Sequence, residues 1–181
     1  MALAALDVCG APAQTERLVA DAKSVLILGA GKSGMLCAAT ARKTRGRSIK
    51  IYGIDRDDEN LKLLDEAGLV DAWRTADAKQ PVQVLEALYA MTGSEPVDLV
   101  INTCNVDGTE MSAILPVRQR GTVYFFNMAT DFSRAALGCE GVGRDAQLLI
   151  GNGYAAGHAE LTLEVVRSFE AVQRRLQELV G

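Results

Sequence analysis

Three glycines have the spacing that recognition of a phosphate-bearing ligand requires. Gly29, Gly31 and Gly34 form a GxGxxG pattern directly after the apolar run SVLIL and directly before a stretch of helical character. In this context the first glycine allows a tight turn, the second lets the backbone approach a pyrophosphate, and the third permits close packing of helix on strand. The free N–H groups at the start of that helix would bind the phosphates.

Asp55 follows the next predicted strand, SIKIYGI, at the distance from the glycines where an acid accepts hydrogen bonds from the adenosine ribose hydroxyls. The glycines and Asp55 together predict a dinucleotide site. The carboxylate repels a 2′-phosphate and so favours NAD, whereas Arg56 would pair with that phosphate if it turned inward, which leaves NADP open. The alternative is that the glycines only make a tight turn, that Asp55 caps the next helix and that Arg56 is a plain surface charge.

Lys32 and Ser33 make the glycine loop look like the end of a P-loop. A P-loop needs a further glycine five positions before Gly31, and this chain has Leu26 there, so that interpretation fails. Lys32 and Ser33 remain candidates for contact with the pyrophosphate. For Lys32 the alternative is a solvated side chain on the first helical turn.

The remaining candidates follow three later strands, because ligands of open parallel sheets bind beyond the carboxyl ends of the strands. They are Thr103, Cys104 and Asn105 after the fourth predicted strand, Asn127 and Met128 after the fifth, and Gly151, Asn152 and Gly153 after the sixth. Small and amide-bearing residues suit contact with a ribose and a carboxamide ring. A helix cap and an ordinary loop are the alternatives, and a buried thiol is favoured over a reactive one for Cys104.

No catalytic residue and no metal ligand is predicted. His158 is the one histidine, and the sequence offers only Glu160 nearby as an orienting partner, so a polar residue in a first helical turn is the favoured interpretation. The four cysteines are dispersed and form no CxxC pair, which argues against zinc.

Short apolar runs alternate with longer amphipathic stretches, and no hairpin signals occur. This pattern predicts an α/β fold, a doubly wound six-stranded parallel sheet of the Rossmann type in the order 3-2-1-4-5-6. The predicted strands are residues 24–29, 48–54, 69–73, 96–103, 121–126 and 147–151. The predicted helices are residues 13–22, 32–45, 57–67, 80–91 and 108–115, with 132–144 irregular.

We expect a single dinucleotide-binding domain over residues 1–181. It would comprise a leading segment and helix (1–22), a Rossmann core (24–154) and a long C-terminal helix (158–180). The apolar stripe of that helix runs unbroken, and at about 1.5 Å per residue the helix would outrun the sheet. Its end is therefore predicted to pack on a partner chain or another domain, and a homo-oligomer is expected.

Composition excludes several classes of protein. The chain has 181 residues with 19 basic and 23 acidic side chains, which argues against a nucleic-acid partner. Hydrophobic residues make up 49%, too many for a disordered chain. No apolar run approaches the roughly 20 residues of a membrane helix, so no membrane partner is expected. Dispersed cysteines and a start without a basic region predict a cytoplasmic protein.

Several motifs in order resemble known dehydrogenases. VLILGAGKSG, DLVINTCN and GTVYFFNMAT resemble the cofactor-binding half of medium-chain dehydrogenases. More closely, VLILGAGKSGML, INTCNVDGTEM and IGNGYAAGHAE are similar to the L-erythro-3,5-diaminohexanoate dehydrogenase family of lysine fermentation.

The resemblance implies NAD(P)-dependent oxidative deamination of a diamino acid substrate. A hydride would leave the carbon that bears the 3-amino group, and the imine would hydrolyse to 3-oxo-5-aminohexanoate and ammonia. The resemblance places the cofactor at Gly29, Gly31, Gly34 and Asp55.

The same resemblance implies that part of the enzyme is elsewhere. Members of that family carry a further domain ahead of the cofactor domain, and it supplies much of the substrate site. We therefore expect a separate substrate domain or a partner chain. Two alternatives stay open: a non-enzymatic NAD(H)-sensing module coupled through the last helix, and a methyltransferase using S-adenosylmethionine, which the six-strand repeat and the glycine spacing disfavour.

Overall fold

The computed structural model describes residues 2–151 and 153–179. The helices are α1 (Ala2–Leu6), α2 (Gly10–Leu18), α3 (Lys32–Arg45), α4 (Asp58–Glu66), α5 (Pro81–Thr92), α6 (Glu110–Ile114), α7 (Phe132–Gly141), α8 (His158–Ser168) and α9 (Glu170–Glu178). The strands are β1 (Ser24–Leu28), β2 (Lys50–Asp55), β3 (Ala72–Thr75), β4 (Val97–Asn102), β5 (Val117–Phe125) and β6 (Gln147–Ile150). None of the helices in these ranges combines the length and the apolar character that crossing a membrane requires.

All six strands form one parallel sheet in the order β3-β2-β1-β4-β5-β6, which confirms the predicted Rossmann topology. The register aligns the carboxyl ends of the inner strands: Leu28 of β1 lies opposite Ile54 of β2 and opposite Asn102 of β4. The alignment continues outward, because Phe125 of β5 pairs with both Asn102 and Ile150. The loops that leave these ends therefore begin along one edge of the sheet.

Helices cover both faces of the sheet, and the strands show why. Val25 and Ile27 of β1 point into the core beneath α2, α3, α8 and α9, while Leu26 and Leu28 point into the core beneath α5, α6 and α7. All four side chains are fully buried. A strand with two buried faces must be apolar throughout, which accounts for the continuous run SVLIL.

The segment predicted to be irregular, residues 132–144, contains helix α7, so that prediction was wrong. The side chain of Asp131 caps the helix by accepting a hydrogen bond from the Arg134 amide at 2.8 Å. Gly138 made the stretch look irregular, yet it has a packing role: a Cβ there would lie 2.6 Å from the sulfur of Met111 in α6. The glycine lets two helices approach closely. Two strands begin at other residues than predicted: β3 begins at Ala72 and β5 at Val117.

The predicted continuous helix over residues 158–180 was also wrong. The chain leaves helical geometry at Phe169, whose φ of −133° and ψ of 107° are extended, and α9 begins on the other side of that residue. Val172 and Leu176 of α9 are fully buried in the core that includes α3. The apolar stripe is therefore covered by the domain itself as far as Leu176, and the described residues do not form the long straight helix from which an overhang was predicted. The predicted end at residue 180 lies outside them.

We expect Leu176→Ala to lower the free energy of unfolding by about 2–5 kcal/mol, because it empties a fully buried site between α9 and α3. Leu179→Ala is the matched control: this leucine is 49% exposed and its loss should cost within about 0.5 kcal/mol. Urea denaturation of both variants measures the difference. Equal stability of the two variants would show that α9 does not dock on its own domain.

Candidate functional site

The carboxyl edge of the sheet continues its hydrogen-bond pattern for one residue beyond each inner strand. The amide of Gly29 donates to Ile54 O at 2.8 Å, and the amide of Thr103 donates to Leu28 O at 2.9 Å. On the other side Gly151 N donates to Phe125 O at 2.9 Å. These bonds fix where the loops after β1, β4 and β6 begin, so the loops that carry the predicted residues begin along the same edge of the sheet.

Gly29 and Gly34 are glycines for steric reasons. Gly29 has a φ of +94°, a left-handed conformation, and a Cβ on it would lie 2.9 Å from both Thr103 Oγ1 and Cys104 Sγ. A Cβ on Gly34 would collide with the carbonyl oxygen of Gly29. Together they allow the tight turn and bring the first turn of α3 against the end of β1.

Gly31, by contrast, has room for a side chain. It is the N-cap of α3, it is exposed, and a Cβ on it would meet nothing within 4 Å. No side chain caps this helix and no acidic residue lies in its first turn. By contrast α4 is capped by Asp57, which accepts from the Glu59 amide at 3.0 Å. The N-terminus of α3 therefore has N–H groups that no side chain caps and a positive end that no acid of the first turn neutralises.

Asp55 ties the end of β2 to the glycine loop. Its Oδ2 accepts a hydrogen bond from the Ala30 amide at 2.5 Å, and its Oδ1 accepts one from the Asp57 amide at 2.9 Å. An ionised carboxylate has about four acceptor sites, so capacity remains for hydroxyl donors. The N-cap of α4 is Asp57, so the alternative that Asp55 itself caps that helix was wrong. Arg56 is exposed at the same bend.

A cleft of about 680 Å³ opens beyond the carboxyl ends of β1, β4, β5 and β6. Seven of the predicted residues line it: Ser33, Thr103, Asn105, Asn127, Met128, Gly151 and Gly153. Gly29, Gly31, Lys32, Gly34, Asp55, Arg56 and Cys104 do not line it and belong to the glycine loop or its surroundings. Asn152 lies outside the described residues. The structure thus divides the predicted set between a cleft and the adjoining loop.

Two asparagines of the predicted loops shape the cleft. Asn127 lies two residues beyond the end of β5, and its Oδ1 accepts hydrogen bonds from the Ala129 amide and from the Thr130 hydroxyl. Asn105 Oδ1 accepts from the Met128 amide at 3.2 Å and joins the loops after β4 and β5. Both asparagines follow predicted strands, and the structure brings their loops together.

Asp7 is a cleft residue that no local pattern signalled. It lies in the turn between α1 and α2, and its Oδ2 is 2.6 Å from Lys32 Nζ. The Lys32 ammonium beside it lowers the pKa of the Asp7 carboxyl below its usual value. Lys32, predicted to contact a pyrophosphate, is therefore engaged by a carboxylate of the protein itself.

Cys104 is half-buried beside the glycine loop, and His158 lies at the start of α8. Burial raises the pKa of the Cys104 thiol to about 12, and the nearby Asp55 carboxylate adds to the shift. His158 begins α8 and packs edge-on against Tyr154, with 4.9 Å between ring centroids, and it does not line the cleft. Within the described ranges no group of three or more His, Cys, Asp or Glu side chains is placed to hold a metal ion.

The strand order and the uncapped glycine turn define a Rossmann domain. An alcohol dehydrogenase from Thermotoga maritima superposes with a TM-score of 0.72 at 18% identity, covering 98% of this chain and 49% of that one. A short chain alcohol dehydrogenase from Escherichia coli, solved in complex with cofactor NADH, gives 0.66 at 14% identity, covering 92% and 48%. These similarities establish the fold.

The sequence is similar to one particular enzyme, L-erythro-3,5-diaminohexanoate dehydrogenase, so the predicted resemblance is confirmed. Identity is 51% with the enzyme of Acetoanaerobium sticklandii and 48% with that of Fusobacterium nucleatum, in each case over 99% of this chain. The chain spans about half the length of these curated relatives, 52% of each. No family model matches the chain.

Gly34→Ala and Gly31→Ala should have contrasting effects. At residue 34 the added methyl group meets the Gly29 carbonyl, so we expect a loss of about 1–3 kcal/mol or more in the free energy of unfolding. At residue 31 the methyl group enters open space and the backbone φ of −66° suits alanine, so stability should change by less than about 0.5 kcal/mol. Thermal denaturation of both variants tests the contrast, which equal melting temperatures would contradict.

Proposed function

We propose that this chain is the cofactor-binding domain of an NAD(P)-dependent dehydrogenase, one domain over residues 1–181. The observation that carries the proposal is the open N-terminus of α3, left without a side-chain cap beside an acid that is hydrogen-bonded to the same loop. A helix end of this kind favours a phosphate, and an acid at the end of the next strand favours a ribose. Both groups occur in one dinucleotide.

The two parts of the site suit the two halves of the cofactor. Asp55 and Arg56 would hold the adenosine ribose, and Gly31, Lys32 and Ser33 would hold the pyrophosphate. The cleft, whose volume lies within the range of small-molecule sites, would take the nicotinamide half against Thr103 and Gly151. The Asn105 and Asn127 amides line it and suit a carboxamide. When bound, the cofactor supplies the acceptor for a hydride.

NAD is the proposed cofactor, with NADP possible. The argument for NAD is the Asp55 carboxylate, whose negative charge opposes that of a 2′-phosphate. The argument for NADP is the exposed Arg56 guanidinium at the same bend. Direct binding of both cofactors decides between them.

The reaction we propose for the whole enzyme is oxidative deamination of a 3,5-diamino acid. The proposal is supported by the names of two curated relatives and by their high identity over 99% of this chain. Because the chain spans about half of their length, a further domain or a partner chain is proposed to supply most of the substrate site. No catalytic acid or base is assigned. A homo-oligomer and a cytoplasmic location stay predictions.

The alternative of an NAD(H)-sensing module has lost one of its arguments. In that alternative the long last helix would be the dimerising or coupling element, and the chain instead breaks at Phe169 and folds α9 against α3. The sequence relatives named as dehydrogenases favour the enzyme.

We expect Asp55→Asn to shift the choice between cofactors. The variant keeps one acceptor oxygen but loses the charge, so NADH affinity should fall about tenfold while NADPH affinity falls less or rises. The ratio of the two dissociation constants, measured by ligand fluorescence, is insensitive to general loosening of the loop. Asp57→Asn, the same change at the N-cap of α4, should leave the ratio unaltered. Failure of the wild type to bind either cofactor would refute the proposed function.

Asp7→Asn should tighten NADH binding severalfold. The substitution removes the carboxylate that pairs with Lys32 and leaves the ammonium free for the pyrophosphate. Because the gain is electrostatic, it should shrink as the salt concentration rises. Asp21→Asn, the same change at an exposed residue after α2, is the control and should have little effect. Weaker binding by Asp7→Asn would show that Asp7 supports the cofactor rather than competing with it.

A further inference from the structure

A second cavity borders the glycine loop and shares no lining residue with the cleft. It has a volume of about 230 Å³, and its walls come from the glycine loop with the first turn of α3, from α4 and from α9. Gly31 and Lys32 form one wall, Asn60 and Leu63 of α4 form another, and Arg175 belongs to the third. The cavity therefore brings a guanidinium from the last helix to the loop proposed to hold phosphates.

The position of Arg175 depends on the break at Phe169. The break lets α9 turn back so that Leu176, the next residue, is fully buried in the core that includes α3. Arg175 then faces α4, where its guanidinium donates to Asn60 Oδ1 at 3.3 Å. A helix that continued straight through residue 169 would carry the side chain away from the domain.

The Arg175 guanidinium is held in position by two acceptors and still has N–H donors for a ligand. Besides Asn60, it contacts Glu178 Oε2 at 3.2 Å, and the Glu178 carboxylate is 64% exposed. An ion pair so close to solvent is weak and is readily exchanged for a stronger anion. A guanidinium carries five N–H donors, so these two acceptors leave donors free.

The chemistry on both sides of the cavity is that of a phosphate site. Gly31 contributes an uncapped helix end with open space in front of its Cα, and Lys32 and Arg175 contribute positive charge. Arginine is suited to phosphate because its planar fork makes two parallel hydrogen bonds to phosphate oxygens.

We propose that Arg175 binds a phosphate group of the dinucleotide from the side of α9, which makes the C-terminal helix part of the cofactor site. The inference rests on the proposed function and assigns a residue beyond the glycine loop and the strand ends. The phosphate belongs either to the pyrophosphate, which NADH and NADPH share, or to the 2′-phosphate, which NADPH alone carries.

Arg175→Gln tests the proposal against Arg174→Gln as the matched control. Glutamine keeps most of the side chain and an amide donor for Asn60, while Arg174 is an exposed neighbour on the same helix that does not line this cavity. Dissociation constants for NADH and NADPH are measured by fluorescence titration, with a thermal melt of each variant. We expect Arg175→Gln to weaken binding about tenfold and Arg174→Gln to weaken it less than about twofold.

The pattern of loss identifies the phosphate. An equal loss for NADH and NADPH assigns Arg175 to the pyrophosphate, and a loss for NADPH alone assigns it to the 2′-phosphate. Binding by Arg175→Gln that matches Arg174→Gln for both cofactors overturns the inference while leaving the proposed function intact. If the wild type binds neither cofactor, the proposed function itself fails.

If Arg175→Gln melts at a lower temperature, Arg175→Lys distinguishes the effect of the lost charge from the effect of lost stability. Lysine retains the positive charge but lacks the planar fork, so its affinity should lie between those of the wild type and the glutamine variant. A lysine variant that binds as weakly as the glutamine variant while melting like the wild type would still support a fork-specific contact. A wild-type affinity in a destabilised glutamine variant would overturn the inference.

Discussion

Helix α3 passes so close to the carbonyl of Gly29 that no side chain fits between them, and the geometry of the site follows from this approach. Because Gly34 has no Cβ, helix α3 can pack close to the end of β1. The left-handed turn at Gly29 directs the first turn of α3 along the edge of the sheet. Asp55 then fastens the loop to β2 through the Ala30 amide. A larger residue at either glycine would displace the N-terminus of α3, which is proposed to bind phosphate, from the ends of the strands.

The net charge of the chain is negative, but two basic side chains lie near the N-terminus of α3. The chain carries a net charge of −4, yet Lys32 and Arg175 both lie beside the loop, each held by an acid that is largely solvent-exposed. Exposed acids hold their partners weakly, so both cations can transfer to a stronger anion at little cost. Both side chains proposed to bind phosphate are thus held in position by the protein's own acids.

The sequence predicts the sheet well because β1, β2 and β4 are buried on both faces and read as apolar runs, and parallel connections leave few topologies. The glycine loop is predictable because its residues are neighbours along the chain. Asp7 and Arg175 were missed because each reaches the loop only through tertiary packing. The break at Phe169 was missed because the apolar stripe continues in phase on both sides of it, and only docking on α3 decides the turn.

The two extremes of the described chain meet on one face of the sheet. Thr162 of α8 donates its hydroxyl hydrogen bond to the carbonyl of Cys9 beside α2, and Lys43 of α3 pairs with Glu164. During synthesis, α1, α2 and α3 therefore emerge well before the α8 and α9 residues that cover them. Until then the part of α3 that α8 and α9 cover is exposed to solvent, and a nascent chain paused in this region would present it to chaperones or to other chains.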